Sequence, residues 1–173
     1  ESSKCLPESN YGRAKHFASK YLLRLFKKNN FPCTILRLYQ VFGPKQDQNR
    51  FIPVVIQNSL NNKNFNVSSG RQQRDFLYVD DIVAAVIKCL ISKKSKGEIF
   101  NVGYGKAIKI KKVLLLIIKI CNGGFPTYGK INLRKEENLI TYPSINKIKK
   151  FLKWKPKYSF DDGLKKTIKL YVK

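Results

Sequence analysis

The sequence predicts an α/β fold, because short apolar segments rich in β-formers alternate with longer segments of helical periodicity. Hydrophobic residues make up 43% of the 173 residues and charged residues 27%, a balance typical of a globular chain with a sizeable core. The longest apolar run, residues 113–118, is flanked by lysines and is much shorter than the roughly 18 residues of a membrane span. We therefore expect a globular α/β chain without a membrane segment.

The first helix is predicted from residue 10 to about residue 28, after a polar loop that contains Pro7. Asn29 and Asn30 end it, as residues that favour turns do. Its apolar residues recur at three- and four-residue steps, which places them on one helical face. These residues are Phe17, Tyr21, Leu22, Leu25 and Phe26.

A strand and a second helix follow. Residues 33–39 are short, apolar and rich in β-formers, which predicts a buried strand. Gly43 and Pro44 then break the chain. Residues 51–60 are predicted as a helix, with Pro53 tolerated because it lies in the first turn.

The second half of the chain continues the alternation, without an internal repeat or a dividing linker. Strands are predicted at residues 65–67, 76–79, 98–102 and 130–134. Helices are predicted from Asp80–Asp81 to about residue 92, and at residues 110–121, 144–152 and 161–172. We interpret Asp80 and Asp81 as the N-terminal cap of the third helix, because carboxylates accept hydrogen bonds from the free N–H groups there.

The four cysteines predict neither a disulfide framework nor a zinc site, because no two are close in sequence. They are Cys5, Cys33, Cys89 and Cys121. We expect free thiols in a reducing cytoplasm. His16 is the single histidine of the chain, and one histidine without a carboxylate cluster cannot form a metal centre.

The net charge of +24 leaves two interpretations open. A strongly basic chain can be a nucleic-acid-binding module. However, most of the 35 basic residues are lysines dispersed along the whole sequence, without the clustered aromatics of single-strand binders. Dispersed lysines are typical of solvated helix faces, so we expect no nucleic-acid partner.

The pattern Tyr11-Gly-Arg-Ala-Lys15 carries the first chemical signal. A tyrosine and a lysine four residues apart lie on one face of a helix. A phenol is a poor base at neutral pH, but a neighbouring ammonium favours its ionised form. Such a pair can exchange a proton with a sugar hydroxyl or carbonyl.

Five motifs follow one another along the chain. They are NYGRAK at 10–15, LRLYQVFGP at 36–44, RDFLYVDD at 74–81, NVGYG at 101–105, and RKEEN at 134–138 with NKIKKFLKWKP at 146–156. In this order they resemble the patterns YxxxK, LRxxNVYGP, RDFxYVDD, NVGxG and a C-terminal RxGE…LGWxP tail of the extended short-chain dehydrogenase/reductases, also called the NAD-dependent epimerase/dehydratase family. The resemblance covers nearly the whole chain.

The resemblance implies a cofactor, NAD or NADP, and roles for four residues. Tyr11 would be the catalytic acid/base, and Lys15 would hold the nicotinamide ribose and tune Tyr11. Tyr39 and Val41, at the end of the predicted strand, would border the nicotinamide and the sugar.

The resemblance also implies a nucleoside-diphosphate sugar as substrate. Arg74 and Arg134 match positions that grip the diphosphate, and a guanidinium fork suits phosphate oxygens. Gln40 replaces an asparagine that contacts the sugar or its diphosphate in many members. Arg50 lies in a loop over the nucleotide, and Phe65 lies where members offer a ring or backbone to the base.

The implied architecture is the C-terminal part of a Rossmann-type parallel sheet plus a smaller sugar-nucleotide-binding subdomain. Residues 1–44 would end the dinucleotide-binding domain, and residues 45–173 would form mainly the substrate subdomain, with about 75–105 returning to the sheet. The glycine-rich turn of the cofactor site is absent, since the pair Gly103 and Gly105 lacks the third glycine of the fingerprint. We expect a fragment that binds nicotinamide poorly alone and that is homodimeric when intact.

The reaction itself stays open between several outcomes. Residues 37–53 and 68–81 look most like deoxysugar 4-ketoreductases of the abequose or fucofuranose synthase kind. A sugar-nucleotide 4-epimerase and a 4,6-dehydratase are the alternatives within the family. A non-catalytic remnant is a further alternative, which the presence of Tyr11 and Lys15 disfavours.

Overall fold

A computed structural model of the chain describes residues 1–133 and 138–172. In these residues the helices are α1 (Asn10–Asn29), α2 (Phe51–Leu60), α3 (Val79–Ile91), α4 (Ile110–Cys121), α5 (Asn146–Leu152) and α6 (Phe160–Lys169). The strands are β1 (Thr34–Leu38), β2 (Gln40–Phe42), β3 (Asn64–Asn66), β4 (Gln73–Arg74), β5 (Phe76–Tyr78), β6 (Glu98–Val102), β7 (Ile108–Lys109), β8 (Phe125–Thr127) and β9 (Ile140–Thr141).

The strands pair mostly in parallel, which confirms the α/β fold class. β1 pairs with β6 in the register Thr34 to Glu98, and β2 pairs with β5 in the register Gln40 to Phe76. β3 pairs in parallel with β8. β4 lies between β7, which is antiparallel to it, and β9, which is parallel. The pairings with β6 and β5 therefore place residues that are distant in sequence beside β1 and β2.

The helices match the sequence prediction more closely than the strands do. The helices α2 and α4 have the predicted bounds, and among the strands β6 does as well. Residues 130–133 are not a strand, contrary to the prediction, and the strand of this region is β8, which pairs with β3. β2, β4, β7 and β9 were not predicted, because strands of two or three residues are stabilised by their partners and leave no periodic pattern.

The acidic pair at the start of α3 does not cap the helix as predicted. The N-cap residue is Tyr78, which makes no side-chain cap bond, and Asp80 is exposed. The buried carboxylate of Asp81 instead accepts hydrogen bonds from the backbone N–H groups of Lys157 (2.8 Å) and Tyr158 (3.1 Å). The tertiary contact therefore prevails over local capping, and it fixes the C-terminal segment against α3.

Two hydrophobic clusters hold these elements together. The first joins α2, α4 and α6 to β2 and β5, and its aromatic centre is formed by Phe42, Phe76 and Phe160 with ring centroids 5.1–6.3 Å apart. The second packs α3 and α5 on β6 around Trp154, whose indole N–H donates to the Asp81 carbonyl at 3.1 Å. Each fully buried large apolar side chain contributes about 1.5–3 kcal/mol to stability.

α1 is held loosely, because none of its residues is buried. Its Phe26 ring lies against Gly97, the residue before β6, which is a glycine with φ of 73°. A side chain at position 97 would overlap that ring, and the positive φ also favours glycine. Within the described residues β1 pairs on one side only, so its other edge is open.

α3 also leaves an apolar surface uncovered. Five of its apolar side chains are exposed, namely Val83, Val86, Ile87, Leu90 and Ile91. On α1 the aromatic side chains of Tyr11, Phe17 and Tyr21 are exposed as well. Among the described residues, no helix has both the length and the hydropathy that crossing a membrane requires.

All four cysteines are free thiols, as predicted. Burial raises the pKa of the Cys33, Cys89 and Cys121 thiols. A raised thiol pKa disfavours the reactive thiolate, so these three side chains act as small apolar residues.

Candidate active site

The tyrosine–lysine pair lies at the N-terminus of α1. Ser9 caps this helix by accepting a hydrogen bond from the Gly12 N–H at 3.1 Å, and the cap fixes where the first turn begins. Tyr11 and Lys15 then follow on one face, and the Lys15 ammonium nitrogen lies 5.5 Å from the centroid of the Tyr11 ring. Tyr11 is 75% exposed, so its hydroxyl is open to a ligand.

A shallow, basic cavity of about 330 Å³ lies beside the pair. Lys15 and His16 from α1 and Arg37 from β1 line it, together with the N-terminal segment. The Arg37 guanidinium donates to the Cys5 sulfur at 3.2 Å, which ties that segment to β1. The pair therefore lies in a surface region that is open and carries positive charge.

The junction of β1 and β2 contains Tyr39 and Val41, predicted to border the nicotinamide and the sugar, and Gln40, predicted to contact the sugar or its diphosphate. The Tyr39 N–H donates to the Val102 carbonyl (3.3 Å), and the Gln40 N–H donates to the Asp75 carbonyl (3.0 Å). Burial raises the pKa of the Tyr39 phenol, and the nearby Arg37 opposes that rise. The Val41 side chain is half-buried, and the Gln40 side chain is exposed.

Asp75 organises the loop next to this junction. Its carboxylate is fully buried and accepts hydrogen bonds from the N–H groups of Tyr104 (2.7 Å), Gly105 (2.6 Å) and Lys106 (3.1 Å). Burial raises the pKa of Asp75, and the three N–H donors oppose the rise. The NVGYG segment at 101–105 is therefore a strand-end turn held by a carboxylate.

A larger cavity, of about 590 Å³, opens at the start of β2 and along β4. Gln40, Phe65 and Arg74 all line it, so the structure brings together three of the five residues predicted to bind substrate. The Arg74 guanidinium donates to the Gln73 carbonyl at 2.8 Å and reaches the Leu139 carbonyl at 3.4 Å. These bonds orient the side chain along one wall of the cavity.

The cavity has apolar walls with polar groups at a few points. Apolar lining residues include Phe51, Val55, Val67, Phe76 and Ile110, and the polar ones besides Gln40 and Arg74 are Asn49, Asn66, Ser68, Gln72 and Asn132. Apolar walls with a few fixed polar groups are typical of sites for small organic ligands.

The remaining two predicted substrate residues lie elsewhere or cannot be placed. Arg50 is exposed at the N-cap of α2 and does not line the cavity, whereas its neighbour Asn49 does. Arg134 lies outside the described residues, although Leu133 lines the cavity.

Sequence reasoning missed Gln72 and Ser68 as cavity residues. The available signal was the position of Gln72 two residues before Arg74, because residues i and i+2 of a strand point to the same face. The prediction placed the strand at 76–79 and so did not use that signal. The structure shows β4 at Gln73–Arg74, with Gln72 directly before it.

The two regions differ in the chemistry they can support. Tyr11 and Lys15 present a hydroxyl and an ammonium to solvent, which suits the hydroxyls of a ribose and so fits the nicotinamide-ribose end of a dinucleotide. The cavity offers a guanidinium and amides inside apolar walls, which suits a phosphorylated organic ligand. Over residues 1–133 and 138–172, no cluster of three or more histidine, cysteine or carboxylate side chains could hold a metal ion.

Comparisons with known proteins identify the family that the chain resembles. The sequence model of the NAD dependent epimerase/dehydratase family matches residues 1–103. The dTDP-D-glucose 4,6-dehydratase of Mus musculus is 31% identical and aligns with 100% of this chain and 50% of its own length. The CDP-abequose synthase of Salmonella muenchen is 31% identical over 78% of this chain and 46% of its own length. The chain thus spans about half the length of the curated relatives it matches.

Solved structures share the fold. The UDP-glucose 4-epimerase of Thermotoga maritima, solved with UDP-glucose, has a TM-score of 0.89 at 28% identity, over 96% of this chain and 54% of its own. The dTDP-glucose 4,6-dehydratase of Bacillus anthracis, solved in complex with NAD, has a TM-score of 0.89 at 26% identity, over 99% of this chain and 55% of its own.

Proposed function

Because this chain belongs to the NAD dependent epimerase/dehydratase family, we propose that the intact protein transfers hydride between a nicotinamide and a carbon of a nucleoside-diphosphate sugar. The observation that carries the proposal is the combination of an exposed tyrosine–lysine pair on α1 with a separate phosphate-suited cavity beyond the β1–β2 junction.

Tyr11 moves the proton of the reaction. In the reductive direction its hydroxyl donates a proton to the sugar carbonyl oxygen while a C–H bond forms at the carbonyl carbon. In the oxidative direction the phenolate takes the proton back from the sugar hydroxyl. The nicotinamide, when bound, supplies or accepts the hydride.

Lys15 positions the cofactor and supports the phenolate. Its ammonium lies on the same helix face as Tyr11 and can donate to the nicotinamide ribose hydroxyls. Its positive charge also favours the ionised phenol. Tyr39 and Val41 border the space where the nicotinamide ring and the sugar meet.

The cavity binds the nucleoside diphosphate. Arg74, together with Arg134, grips the diphosphate, because a guanidinium forms two parallel bonds to phosphate oxygens. Gln40 contacts the sugar or its diphosphate at the start of β2, and Phe65 supports the base. Arg50 contacts the substrate from the loop before α2, and its exposed position requires that the loop approach the bound ligand.

Among the family's reactions we favour reduction of a 4-keto-deoxysugar. The relative that supports this choice is the CDP-abequose synthase, at 31% identity over 78% of this chain. The dehydratase and epimerase relatives match to a similar degree, so a 4,6-dehydratase and a 4-epimerase are the rival outcomes. Both NAD and NADP suit the residues present. The free thiols suit a reducing compartment, and we place the enzyme in the cytoplasm.

The intact enzyme completes the cofactor site with a glycine-rich dinucleotide-binding half. The open edge of β1 and the exposed apolar side chains of α3 are the surfaces that would receive it. In this division residues 1–44 end the dinucleotide-binding domain, residues 45–173 form mainly the substrate subdomain, and about 75–105 return to the sheet. The exposed face of α1 would serve homodimerisation.

Redox balance provides the test. The intact enzyme is given a nucleoside-diphosphate 4-keto-6-deoxysugar and a reduced nicotinamide carrying deuterium at C4. A ketoreductase consumes one reduced nicotinamide per product and places the deuterium at C4 of the sugar. A second assay supplies a nucleoside-diphosphate hexose with its 4-hydroxyl and NAD, because epimerisation and dehydration begin by oxidising that hydroxyl and later return the hydride. Turnover in this second assay without net reduction of NAD supports those rivals, and the absence of turnover in both assays contradicts the proposal.

A further inference from the structure

We propose that Gln72, held in place by Ser68, recognises the nucleoside end of the substrate. This inference rests on the proposed function, because it assigns a part of the same cavity. It goes beyond that function by naming the side chain that makes the cavity bind nucleoside diphosphates in preference to other diphosphates.

Burial distinguishes Gln72 from the other polar groups of the cavity. Gln72 is 7% exposed, whereas Gln40, Asn49, Asn66 and Asn132 are all exposed. A carboxamide exposed to water can exchange partners at little cost, but a buried one loses free energy whenever a donor or acceptor is left without a partner. A ligand that completes the hydrogen bonds of Gln72 is therefore preferred over one that does not.

Ser68 satisfies only part of the carboxamide and fixes its orientation. The Gln72 amide nitrogen donates to the Ser68 hydroxyl oxygen at 3.1 Å, and the Gly70 N–H donates to the same oxygen at 3.4 Å. The Ser68 hydroxyl lies 3.4 Å from the Gln72 side-chain oxygen, to which it can donate. A carboxamide has two N–H donors and two acceptor lone pairs, so one donor and one acceptor site remain for a ligand.

The position of Gln72 relative to Arg74 selects the nucleoside rather than the diphosphate. Gln72 directly precedes β4 and Arg74 ends it, and in extended chain two residues correspond to about 6.6 Å between their Cα atoms. Both line the cavity. With the guanidinium on the diphosphate, the carboxamide lies one group further along the ligand, where a nucleoside presents hydroxyls and a base edge.

The walls around Gln72 support this assignment. Val55, Val67 and Ile110 line the same cavity and are apolar. Apolar side chains suit the faces of a base or sugar ring, and they do not suit a doubly charged phosphate. A single fixed carboxamide in such a wall therefore provides orientation and specificity.

The test compares two ligands on the 173-residue chain by nuclear magnetic resonance titration at physiological salt. One is the tightest binder among UDP, CDP and dTDP, and the other is inorganic pyrophosphate. For Gln72→Leu we expect about 10-fold weaker nucleotide binding with pyrophosphate binding unchanged, because the hydrogen bonds lost belong to the nucleoside. Gln73→Leu, the same change one residue along the strand, is the matched control and should leave both affinities unchanged.

A second variant covers the case in which Gln72→Leu does not fold. Ser68→Ala keeps the carboxamide but removes the group that orients it, and we expect about 3-fold weaker nucleotide binding, again with pyrophosphate unchanged. Equal losses for both ligands, or no loss for either variant, overturn the assignment of Gln72. If the unmodified chain binds no nucleoside diphosphate more tightly than pyrophosphate, the proposed function fails instead.

Discussion

The cavity at the start of β2 and the surface that carries Tyr11 and Lys15 differ in how many packed elements of this chain form each of them. The cavity is lined by residues of α2, β3, β4, β5 and α4, and several of these residues belong to a hydrophobic cluster. The Tyr11–Lys15 surface lies on a helix without a buried residue.

This difference separates two functions that act together in one reaction. A preorganised cavity can bind its ligand with elements that are already packed. A proton-transfer pair on an exposed helix has its chemistry in place, but it needs further surface to hold a cofactor against it. The chain therefore contains the substrate side of the proposed site more completely than the cofactor side.

The largest expected effect is on turnover, from Tyr11→Phe in the intact enzyme. Removing the hydroxyl removes the group that exchanges a proton with the sugar, so we expect turnover to fall by about 10²–10⁴-fold. Because Tyr11 is 75% exposed, the free energy of unfolding of the 173-residue chain should change by less than about 0.5 kcal/mol.

Tyr21→Phe is the matched control for that change, because Tyr21 is also exposed on α1. Turnover is measured by nicotinamide absorbance, and stability by urea unfolding of the chain. A Tyr11→Phe enzyme with the turnover of the Tyr21→Phe enzyme contradicts the role of Tyr11.

A pair of leucine-to-alanine substitutions tests the structural contrast directly. Leu114 is fully buried in the cluster behind the cavity, and its change to alanine should cost about 2–5 kcal/mol of unfolding free energy. Leu90 is 79% exposed on α3, so the same substitution there should cost less than about 0.5 kcal/mol. Urea unfolding of both variants measures the difference, and similar costs refute the view that the α3 surface is uncovered.

Asp75→Asn should destabilise the chain by about 1–3 kcal/mol, because an amide group cannot accept the bonds of all three N–H donors of residues 104–106. Asp80→Asn is the control, since Asp80 is exposed in the first turn of α3. Thermal and urea unfolding measure the two costs. If Asp75→Asn is as stable as Asp80→Asn, the carboxylate does not organise the turn.

Arg74→Lys should weaken binding of a nucleoside diphosphate to the chain by about 10-fold, because a lysine cannot form the two parallel bonds of a guanidinium. Arg71→Lys is the matched control, since Arg71 is exposed and does not line the cavity. Titration calorimetry measures both affinities. Equal effects of the two substitutions would mean that general positive charge, and not a bidentate site, attracts the ligand.

The sequence predicted the helices and the order of the motifs well, because helical periodicity and motif spacing are local properties. Phe51–Leu60 and Ile110–Cys121 appear with the predicted bounds for that reason. The strand expected at 130–134 was wrong, and β8 was missed, because Phe125–Thr127 becomes a strand only through its pairing with β3.

The candidate site was predicted in part for the same reason. Arg74 and Gln40 were predicted as binding residues from their motif positions. Outside the site, the hydrogen bonds of Asp81 with the backbone of Lys157 and Tyr158 were not predicted, because these partners lie about 75 residues away in sequence. Gln72 was missed because the strand was predicted at residues 76–79, so its position two residues before Arg74 was not used. Its burial and its contact with Ser68 are tertiary features that the sequence does not reveal.

The most direct test of the central claim is a parallel titration of the 173-residue chain with nucleoside diphosphates and with NAD(H) and NADP(H). The account predicts saturable binding of UDP, CDP or dTDP that Arg74→Lys weakens, and no submillimolar binding of either nicotinamide dinucleotide. Submillimolar binding of NAD(H) or NADP(H) by a chain that binds none of the three nucleoside diphosphates would contradict it.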